Sequence, residues 1–363
     1  MLFIGFLVPS YARCRFPAWP CIISAKREFP QDRHHRPFPK SQAESRAQLR
    51  EDTLFRKFVY LLALAREQHF GRAAESCHVS QPTLSNAIRQ LEEELRVPIV
   101  ERGQKFSGFT PEGLKVLEYA RRIVAERDGM YQELSSLTQG LSGHLRIGAI
   151  PTALPALPHL LAHFAERYPQ IRSSVTSLSS RDIQRDLDAF ELDAAVTYLD
   201  NEPLSNVRTV PLYSERYFLL TPRARVPEGA ASIRWADAAT LPLCLLTPDM
   251  QNRRIADAAF RMADRTVIPL METNSIVTLY TIVRSGLCAS VVPGQLLTLV
   301  ALHPDIVALP LTEPDLTYAV GLVCADREPP APIAKALATV AAEPALSQRV
   351  RTMTEEALRP WGL

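Results

Sequence analysis

Apolar side chains first recur at helical spacing near residue 54, where the pattern predicts the start of the folded chain. Spacings of three and four residues indicate a helix over residues 53–67, with Thr53 as its N-cap. The apolar positions of this helix are Leu54, Phe58, Leu61, Leu62 and Ala65. Residues 1–52 show no such period and contain six prolines. We therefore expect residues 1–52 to be a disordered or mis-annotated extension.

Two more helices are predicted directly after the first. A short helix over residues 70–77 is followed by a turn over residues 78–80, and Ser80 can cap a third helix that has Pro82 in its first turn. The third helix is expected to bury Leu84, Ile88, Leu91 and Leu95. Its outward residues are Gln81, Thr83, Ser85, Asn86 and Arg89. A short helix, a tight turn and a capped second helix form a helix-turn-helix.

The outward face of the third helix has the chemistry of a DNA-reading surface. It carries short hydrogen-bonding side chains and then Arg89, and no acidic residue precedes Glu92. Such a face fits the major groove, because base edges present donors and acceptors at close range and phosphates repel carboxylates. Residues 97–110 predict a hairpin whose tip carries Arg102 and Lys105, suited to a wing on the DNA backbone. The helical pattern alone leaves a purely structural helical core as the alternative.

A long helix is predicted over residues 111–138, opened by Pro111. Its apolar stripe consists of Leu114, Leu117, Ala120 or Arg121, Val124, Tyr131, Leu134 and Leu137. A rod of about 40 Å with one apolar stripe favours pairing with an antiparallel copy of itself. Packing on its own domain is the alternative. Residues 140–143, with two glycines, then end the helix and are expected to act as a hinge.

The remaining chain alternates strands and helices, which is typical of an α/β fold. Strands are predicted at residues 145–150, 171–177, 194–198, 241–247, 266–271 and 290–292, and helices at 155–168, 180–190, 249–262 and 275–284. Extended segments at 207–221 and 316–325 connect two series of alternating strands and helices, one before residue 207 and one after residue 240. This predicts two lobes with a double crossover, the layout of periplasmic-binding-protein-like sensors. Lobe I would cover about residues 145–219 and 322–347, and lobe II about 220–321.

Ligands of such folds bind at the carboxyl ends of strands, between the lobes. Small and polar residues stand at those ends, where helix starts also favour an anionic ligand. The candidate effector-binding residues are Thr152, Ala153, Thr197, Thr247, Thr273, Asn274 and Ser275. The alternative for each hydroxyl or amide is an ordinary helix cap. Asp249 opposes an anion, so the charge of the effector stays open, although an anionic metabolite is the expectation.

Composition narrows the classes of function. The chain has 363 residues and a net charge of +2, with +4 on residues 1–52 and −3 on residues 141–363. No run of about 18 apolar residues occurs, which excludes a membrane-spanning protein. Six scattered cysteines without C-x-x-C spacing indicate reduced thiols and a cytoplasmic location. Residues 2–8 are apolar, but without a preceding basic region they make a poor secretion signal.

The order of residues in the first module closely resembles the winged helix-turn-helix of LysR-type transcriptional regulators. The matching residues are Arg72-Ala73-Ala74, Val79-Ser80-Gln81-Pro82-Thr83-Leu84-Ser85, Ile88, Leu91-Glu92, Pro98, Glu101-Arg102 and Thr110-Pro111-Glu112-Gly113. The resemblance implies that Gln81, Pro82, Thr83, Ser85 and Arg89 lie at the DNA and that Arg72 lies at a phosphate. Gly71, Val100 and Lys105 depart from the family pattern, and the arginine-to-lysine change removes a planar fork.

The resemblance also implies an architecture and a set of partners. A winged helix-turn-helix over residues 53–112 would be joined by a linker and dimerisation helix, 113–139, to a two-lobed effector domain, 145–347. The expected partners are double-stranded DNA, a second copy of the chain in a homodimer or homotetramer, a small-molecule effector and RNA polymerase. No cofactor and no membrane are expected.

Two other functions remain as alternatives, and neither is an enzyme. Motifs for a nucleophile elbow, a zinc protease, a dinucleotide fold or a phosphate loop are missing from the sequence. A ligand-binding protein with an inert helical module is one alternative. A redox-sensing regulator is the other, because one branch of the family senses peroxide with a cysteine pair in lobe II. The segment after Cys244 lacks such a pair, which disfavours that alternative.

Overall fold

The computed structural model describes residues 42–101, 103, 106–138, 140–299 and 304–359, except the side chains of residues 42–53, 354, 357 and 358. The chain divides into two units, Met1–Leu49 and Arg50–Leu363, and the following account concerns the second. The predicted extension over residues 1–52 lies mostly outside the described residues. Arg102 and Lys105, the predicted wing contacts, also lie outside them.

Three helices form the N-terminal module: α1 (Gln42–Glu67), α2 (Phe70–Ser76) and α3 (Gln81–Leu95). Helix α1 begins eleven residues before the predicted N-cap, so Thr53 lies inside the helix. The ring of His69 caps α2 by accepting hydrogen bonds from the Gly71 and Arg72 amides. Ser80 caps α3 as predicted, because its hydroxyl accepts from the amide of Thr83. The turn between α2 and α3 therefore has the predicted helix-turn-helix form.

The core of this module lies between α1 and α3. Leu84, Ile88 and Leu91 are buried there as predicted, whereas Leu95 is 41% exposed, which corrects the fourth position of the stripe. Leu95 is the last residue of α3, and Arg96 leaves the helix in the left-handed region. In the wing that follows, the described residues form a bridge between Val100 and Phe109.

Helix α4 (Pro111–Thr138) has the predicted bounds, but its apolar residues lie on two sides of the helix and not in one stripe. Leu117 and Ala120 are buried in the core of the N-terminal module, against Phe58 and Ile99. Helix and wing approach so closely that a Cβ at Gly113 would lie 2.1 Å from the carbonyl oxygen of Ile99, and only glycine fits there. The opposite side carries an exposed seam of Tyr119, Ile123, Met130, Leu134 and Leu137.

In the described residues after α4 there are ten strands and seven helices. The strands are β1 (Gly143–Ala149), β2 (Ile171–Ser177), β3 (Ala194–Tyr198), β4 (Val207–Pro222), β5 (Ile233–Arg234), β6 (Cys244–Leu246), β7 (Met271–Thr273), β8 (Ser290–Pro293), β9 (Ile306–Thr312) and β10 (Thr317–Ala325). The helices are α5 (Leu157–Arg167), α6 (Ser180–Asp188), α7 (Trp235–Ala238), α8 (Gln251–Met262), α9 (Ile276–Arg284), α10 (Pro332–Ala341) and α11 (Pro344–Leu358). Short 3-10 helices cover Pro151–Ala153, Arg223–Arg225 and Gly294–Thr298.

Two lobes share the long strand β4. In lobe I the strand order is β2-β1-β3-β10-β4, with β1 parallel to both neighbours and β10 antiparallel to β3 and β4. In lobe II the end of β4 pairs with β8 and β9. The chain crosses between lobes near Tyr217 on β4 and returns at Thr317, since β10 pairs only with strands of lobe I. The return thus comes a few residues before the predicted position, 322.

Two parts of lobe II and the C-terminus differ from the sequence prediction. The strand predicted over residues 266–271 is shifted, because only Met271–Thr273 pairs with β6 while Ile268 and Leu270 are exposed. Strand β9 and helices α10 and α11 were not predicted. The described part of the chain contains no helix that is both long and apolar enough to cross a membrane.

Candidate functional site

The first candidate site is the exposed side of α3. Gln81, Pro82, Thr83, Asn86 and Arg89 are all exposed, and Ser85 is half-buried. The hydroxyls of Ser80 and Thr83 lie 2.8 Å apart at the start of the helix. Polar groups that could contact bases are therefore presented along one face.

Glu92 does not add negative charge to this face. Its carboxylate accepts hydrogen bonds from the amides of Ile99 and Val100, at 2.7 and 3.0 Å. The first acidic residue of α3 thus fixes the start of the wing instead of facing outward. Arg72 lies at the exposed start of α2, where its guanidinium donates to the carbonyl oxygen of Glu67 at 2.6 Å.

The second candidate site is a cleft between the two lobes. A cavity of about 10 Å³ lies there, room for about one water-sized group. Lobe I lines it with Ile150, Pro151, Thr152, Ser179 and Ser180, and lobe II lines it with Leu246, Met250, Gln251 and Asn252. Both lobes therefore contribute polar side chains beside apolar ones, and the cleft is closed.

Local sequence places these side chains at the cleft. Pro151 ends the run of β1 and starts a 3-10 turn, which buries Thr152 at 2% exposure. On lobe II, β6 leads into α8, whose N-cap Met250 gives no side-chain hydrogen bond to the helix start. The first backbone N–H groups of α8 therefore lack a side-chain cap within the described structure.

Gln251 is the unusual residue of the cleft. It is 2% exposed, and neither its amide nitrogen Nε2 nor its oxygen Oε1 has a hydrogen-bond partner among the described residues. Buried amides are normally paired, because burying an unsatisfied donor or acceptor costs about 1–3 kcal/mol. Two unsatisfied atoms on one side chain, beside a cavity, indicate a place for a hydrogen-bonding molecule.

Neighbouring hydroxyls connect the lobes through Tyr198. Its hydroxyl accepts hydrogen bonds from the Tyr217 hydroxyl at 3.0 Å and from the Asn252 amide at 3.4 Å. Thr152 also lies within hydrogen-bonding reach of the Tyr198 hydroxyl. Burial raises the pKa of Tyr198, so the phenol stays neutral. Tyr198 therefore joins lobe I to Asn252 of lobe II and to the crossover strand.

The two arginines at the start of α8, Arg253 and Arg254, are both paired. Arg253 is paired with Asp257 and Glu272. Arg254 reaches across to lobe I, where its guanidinium pairs with Glu202 and donates to the Ser180 hydroxyl at 3.2 Å. The same pairing lowers the pKa of Glu202. Neither arginine is available as a free positive charge for a ligand.

Glu215 is a buried carboxyl group near the crossover. It is 2% exposed, and its Oε1 accepts from the backbone amide of Gln295 at 3.1 Å. Tyr213 also interacts with this carboxyl. Burial raises the pKa of Glu215 to about 8. At neutral pH this carboxyl is therefore mostly protonated and adds little negative charge near the crossover.

The structure brings only some of the predicted effector residues to the cavity. Thr152 lines it, and buried Ala153 follows in the same turn. The other candidates, Thr197, Thr247, Thr273, Asn274 and Ser275, are not among its lining residues. Ser275 instead caps α9, because its hydroxyl accepts from the Thr278 amide.

Several site residues were missed from the sequence. Gln251, Asn252, Tyr198, Ser179 and Ser180 contribute to the cleft but were not singled out. The available signal was the position of Gln251 and Asn252, directly after a predicted strand at the start of a helix. That signal was assigned to Thr247 instead, four residues earlier.

Magnitudes decide which ligand charge the cleft can accept. The partial positive charge at a helix start contributes about 0.3–1 kcal/mol to an anion, and up to about 2 kcal/mol when partly buried. Burying an ion without a counter-charge costs several kcal/mol. Since Arg253 and Arg254 at the start of α8 are already paired, the helix start alone does not offset that cost.

Fold and sites together define a class: a DNA-binding protein with a winged helix-turn-helix, a long linker helix and a two-lobed sensor domain. Comparisons with known families agree with this class. Residues 55–114 match the bacterial regulatory helix-turn-helix of the lysR family, and residues 138–345 match the LysR substrate binding domain. The chain belongs to the LysR family of transcriptional regulators, and it is not an enzyme.

Relatives and solved structures support the assignment. The DNA-binding transcriptional dual regulator OxyR of Escherichia coli is 30% identical over 269 residues, covering 74% of this chain and 88% of that protein. A full-length OxyR variant from Pseudomonas aeruginosa matches with a TM-score of 0.64 and 29% identity, over 80% of this chain and 97% of its own. The LysR family transcriptional regulator CbnR, at 20% identity and a TM-score of 0.57 over 79% of this chain and 97% of its own, shares the fold. Membership in a family of regulators favours the DNA-binding function over a ligand-binding protein with an inert helical module.

Proposed function

We propose that α3 reads operator DNA in the major groove, with Gln81, Thr83, Ser85 and Asn86 at base edges and Arg89 at a phosphate or base. The carrying observation is the exposed face of α3, which presents hydrogen-bonding groups while Glu92 is turned inward to the wing. Its chemistry matches what base edges and phosphates require. Arg72, Ser80 and Pro82 complete the proposed contact surface, together with Arg102 and Lys105.

A gel-shift titration on the DNA upstream of the chain's own gene tests this proposal. We expect Arg89→Ala to weaken binding about tenfold. The slope of log K against the logarithm of the salt concentration should also become shallower by about one, as for the loss of one phosphate contact. Thr83→Ala and Ser85→Ala should change sequence preference more than overall affinity. Arg349→Ala, an exposed change on α11, is the matched control. Unchanged affinity in all three variants on α3 would contradict the proposed surface.

We propose further that the chain forms a homodimer through the exposed seam of α4. The seam residues recur at spacings of 4, 7, 4 and 3 along a helix of 28 residues, and each is more than 40% exposed. A heptad-like apolar seam on a rod of about 40 Å is typical of helix pairing. Association of dimers into a tetramer, and contact of the DNA-bound form with RNA polymerase, are the further steps we propose.

The effector is proposed to bind in the interlobe cleft. Support comes from the unsatisfied amide of buried Gln251, which faces lobe I residues such as Thr152 across the cavity. A ligand there would alter the contacts that now join the lobes, namely Arg254 with Glu202 and Asn252 with Tyr198. A ligand can shift the lobe arrangement only by its difference in affinity for the two states, typically about 1–3 kcal/mol.

Gly140 and Gly143 lie between the sensor domain and α4, and both have positive φ angles. We propose that this hinge passes the lobe movement to the paired DNA modules. In a transcriptional reporter screened with small metabolites, Thr152→Val should abolish the response to the compound that acts on the wild type. Basal operator binding should stay within about twofold, since the DNA module is separate. An unchanged half-saturation in Thr152→Val would exclude Thr152 from the site.

Peroxide sensing is the second candidate, because several relatives are named hydrogen peroxide-inducible genes activators, including one from Dickeya chrysanthemi that is 38% identical over 161 residues. The described cysteines of the sensor domain do not support it. Cys244, Cys288 and Cys324 are buried. Burial raises the pKa of Cys244 to about 11 and that of Cys324 to about 12. Such thiols are protonated near neutral pH, and only the thiolate reacts readily with peroxide.

A further inference from the structure

We infer that the effector presents an uncharged group with a hydrogen-bond donor beside an acceptor, of which a carboxamide is the simplest, and that Gln251 recognises it. The inference rests on the proposed function of the cleft, and it replaces the anionic metabolite expected from the sequence. It makes Gln251 a specificity-determining residue, a role that sequence patterns did not indicate.

The chemistry of Gln251 is the first ground. A glutamine amide offers a donor and an acceptor in one plane, and both are unsatisfied here among the described residues. A group that also has a donor and an acceptor side by side satisfies both at once. A carboxylate has acceptors only, so it would leave the oxygen Oε1 of Gln251 without a partner and facing like charge.

The charges around the cleft are the second ground. Arg253 and Arg254 form ion pairs with three carboxylates, so the described cleft offers no unpaired cation at the start of α8. Glu202 on lobe I is held in its charged form by Arg254. A bound anion would be buried near the charged Glu202 with no unpaired arginine at the start of α8 as a counter-charge, which is unfavourable. Arg181, which also acts on Glu202, is exposed.

The size of the cavity sets what happens on binding. With room for about one water-sized group, the closed cleft receives the head of a ligand only after the lobes separate. The Asn252–Tyr198 hydrogen bond and the Arg254–Glu202 ion pair are the contacts that must lengthen. Recognition by Gln251 and movement of the lobes are thereby coupled.

Acetamide and acetate are matched probes, because they have nearly the same shape and differ in charge. Ligand-observed saturation-transfer NMR on the full-length protein gives an affinity for each. We expect acetamide to bind in the millimolar range and at least about tenfold tighter than acetate. Gln251→Met keeps the side-chain length and should lose at least about tenfold in acetamide affinity. Gln251→Leu is a second replacement, and Gln348→Met, exposed on α11, is the control.

The outcomes separate this inference from the function of the cleft. Acetate binding as tightly as acetamide in the wild type would refute the uncharged class, and this comparison needs no variant. If that acetate signal were lost in Thr152→Val, the cleft would stand as a ligand site and only the ligand class would be wrong. Acetamide affinity unchanged in both Gln251 variants, or no binding of either probe, would overturn the role of Gln251.

Discussion

Replacing Glu215 by glutamine should remove a pH dependence from the stability of the sensor domain. Glu215 is fully enclosed, with Tyr198, Tyr213, Tyr217 and the backbone amide of Gln295 around it. Glutamine keeps the volume and an oxygen that can accept from Gln295, but it cannot ionise. The substitution therefore isolates the effect of the charge.

The sign follows from proton binding. Burial raises the pKa of Glu215 from 4.5 to about 8, so the folded chain binds this proton more tightly than the unfolded chain does. Its contribution to stability is fully present below about pH 4.5 and is lost as the pH rises to about 8. At 1.36 kcal/mol per pKa unit, the wild type should lose about 3–4 kcal/mol between pH 5 and pH 8 through this group. The surrounding tyrosines do not titrate in this window, since burial raises the pKa of each above its ordinary value of 10.

Urea unfolding at several pH values between 5 and 8, followed by circular dichroism and by fluorescence of buried Trp235, measures the effect. Glu215→Gln should match the wild type near pH 5 and become more stable than it by about 3–4 kcal/mol at pH 8. Glu228→Gln, an exposed change in lobe II, should follow the wild type at every pH. A plot of stability against pH for Glu215→Gln that runs parallel to that of the wild type would refute a raised pKa at Glu215. A variant less stable than the wild type at pH 8 would refute it as well.

Two further predictions concern the seam of α4 and the cysteines. The double change Met130→Asp and Leu134→Asp should convert dimers to monomers in light scattering at micromolar concentration, because charges replace the apolar seam. Ser136→Asp, off the seam, should leave the dimer intact; dimers in both variants would show that the seam is not the dimer interface. Hydrogen peroxide should leave operator affinity within about twofold, because the buried thiol of Cys244 is protonated at neutral pH; a peroxide-induced change that is lost in Cys244→Ala would show that this thiol is a sensor.

Local patterns determined much of the first module. The bounds of α4 and the Ser80 cap follow from residues within one or two turns, so the sequence predicted them correctly. The start of α1 at Gln42 could not be placed, because helix-compatible residues before Thr53 give no period that marks a boundary. Which side of α4 is buried also depends on docking: Leu117 and Ala120 pack on α1 and the wing, leaving Ile123 and its neighbours on the opposite side.

In the sensor domain the sequence by itself determined the strands that carry strong apolar runs and the alternation that implies two lobes. Strands β2 and β3 have the predicted bounds, because short apolar or alternating runs report local burial. The composition of the cleft was decided only by tertiary structure. Thr152, Tyr198 and Gln251 are far apart in the chain, and they meet because β4 and β10 cross between the lobes and bring the start of α8 against the end of β1. Sequence spacing within one segment contains no information on such a meeting, since it depends on how separate elements pack.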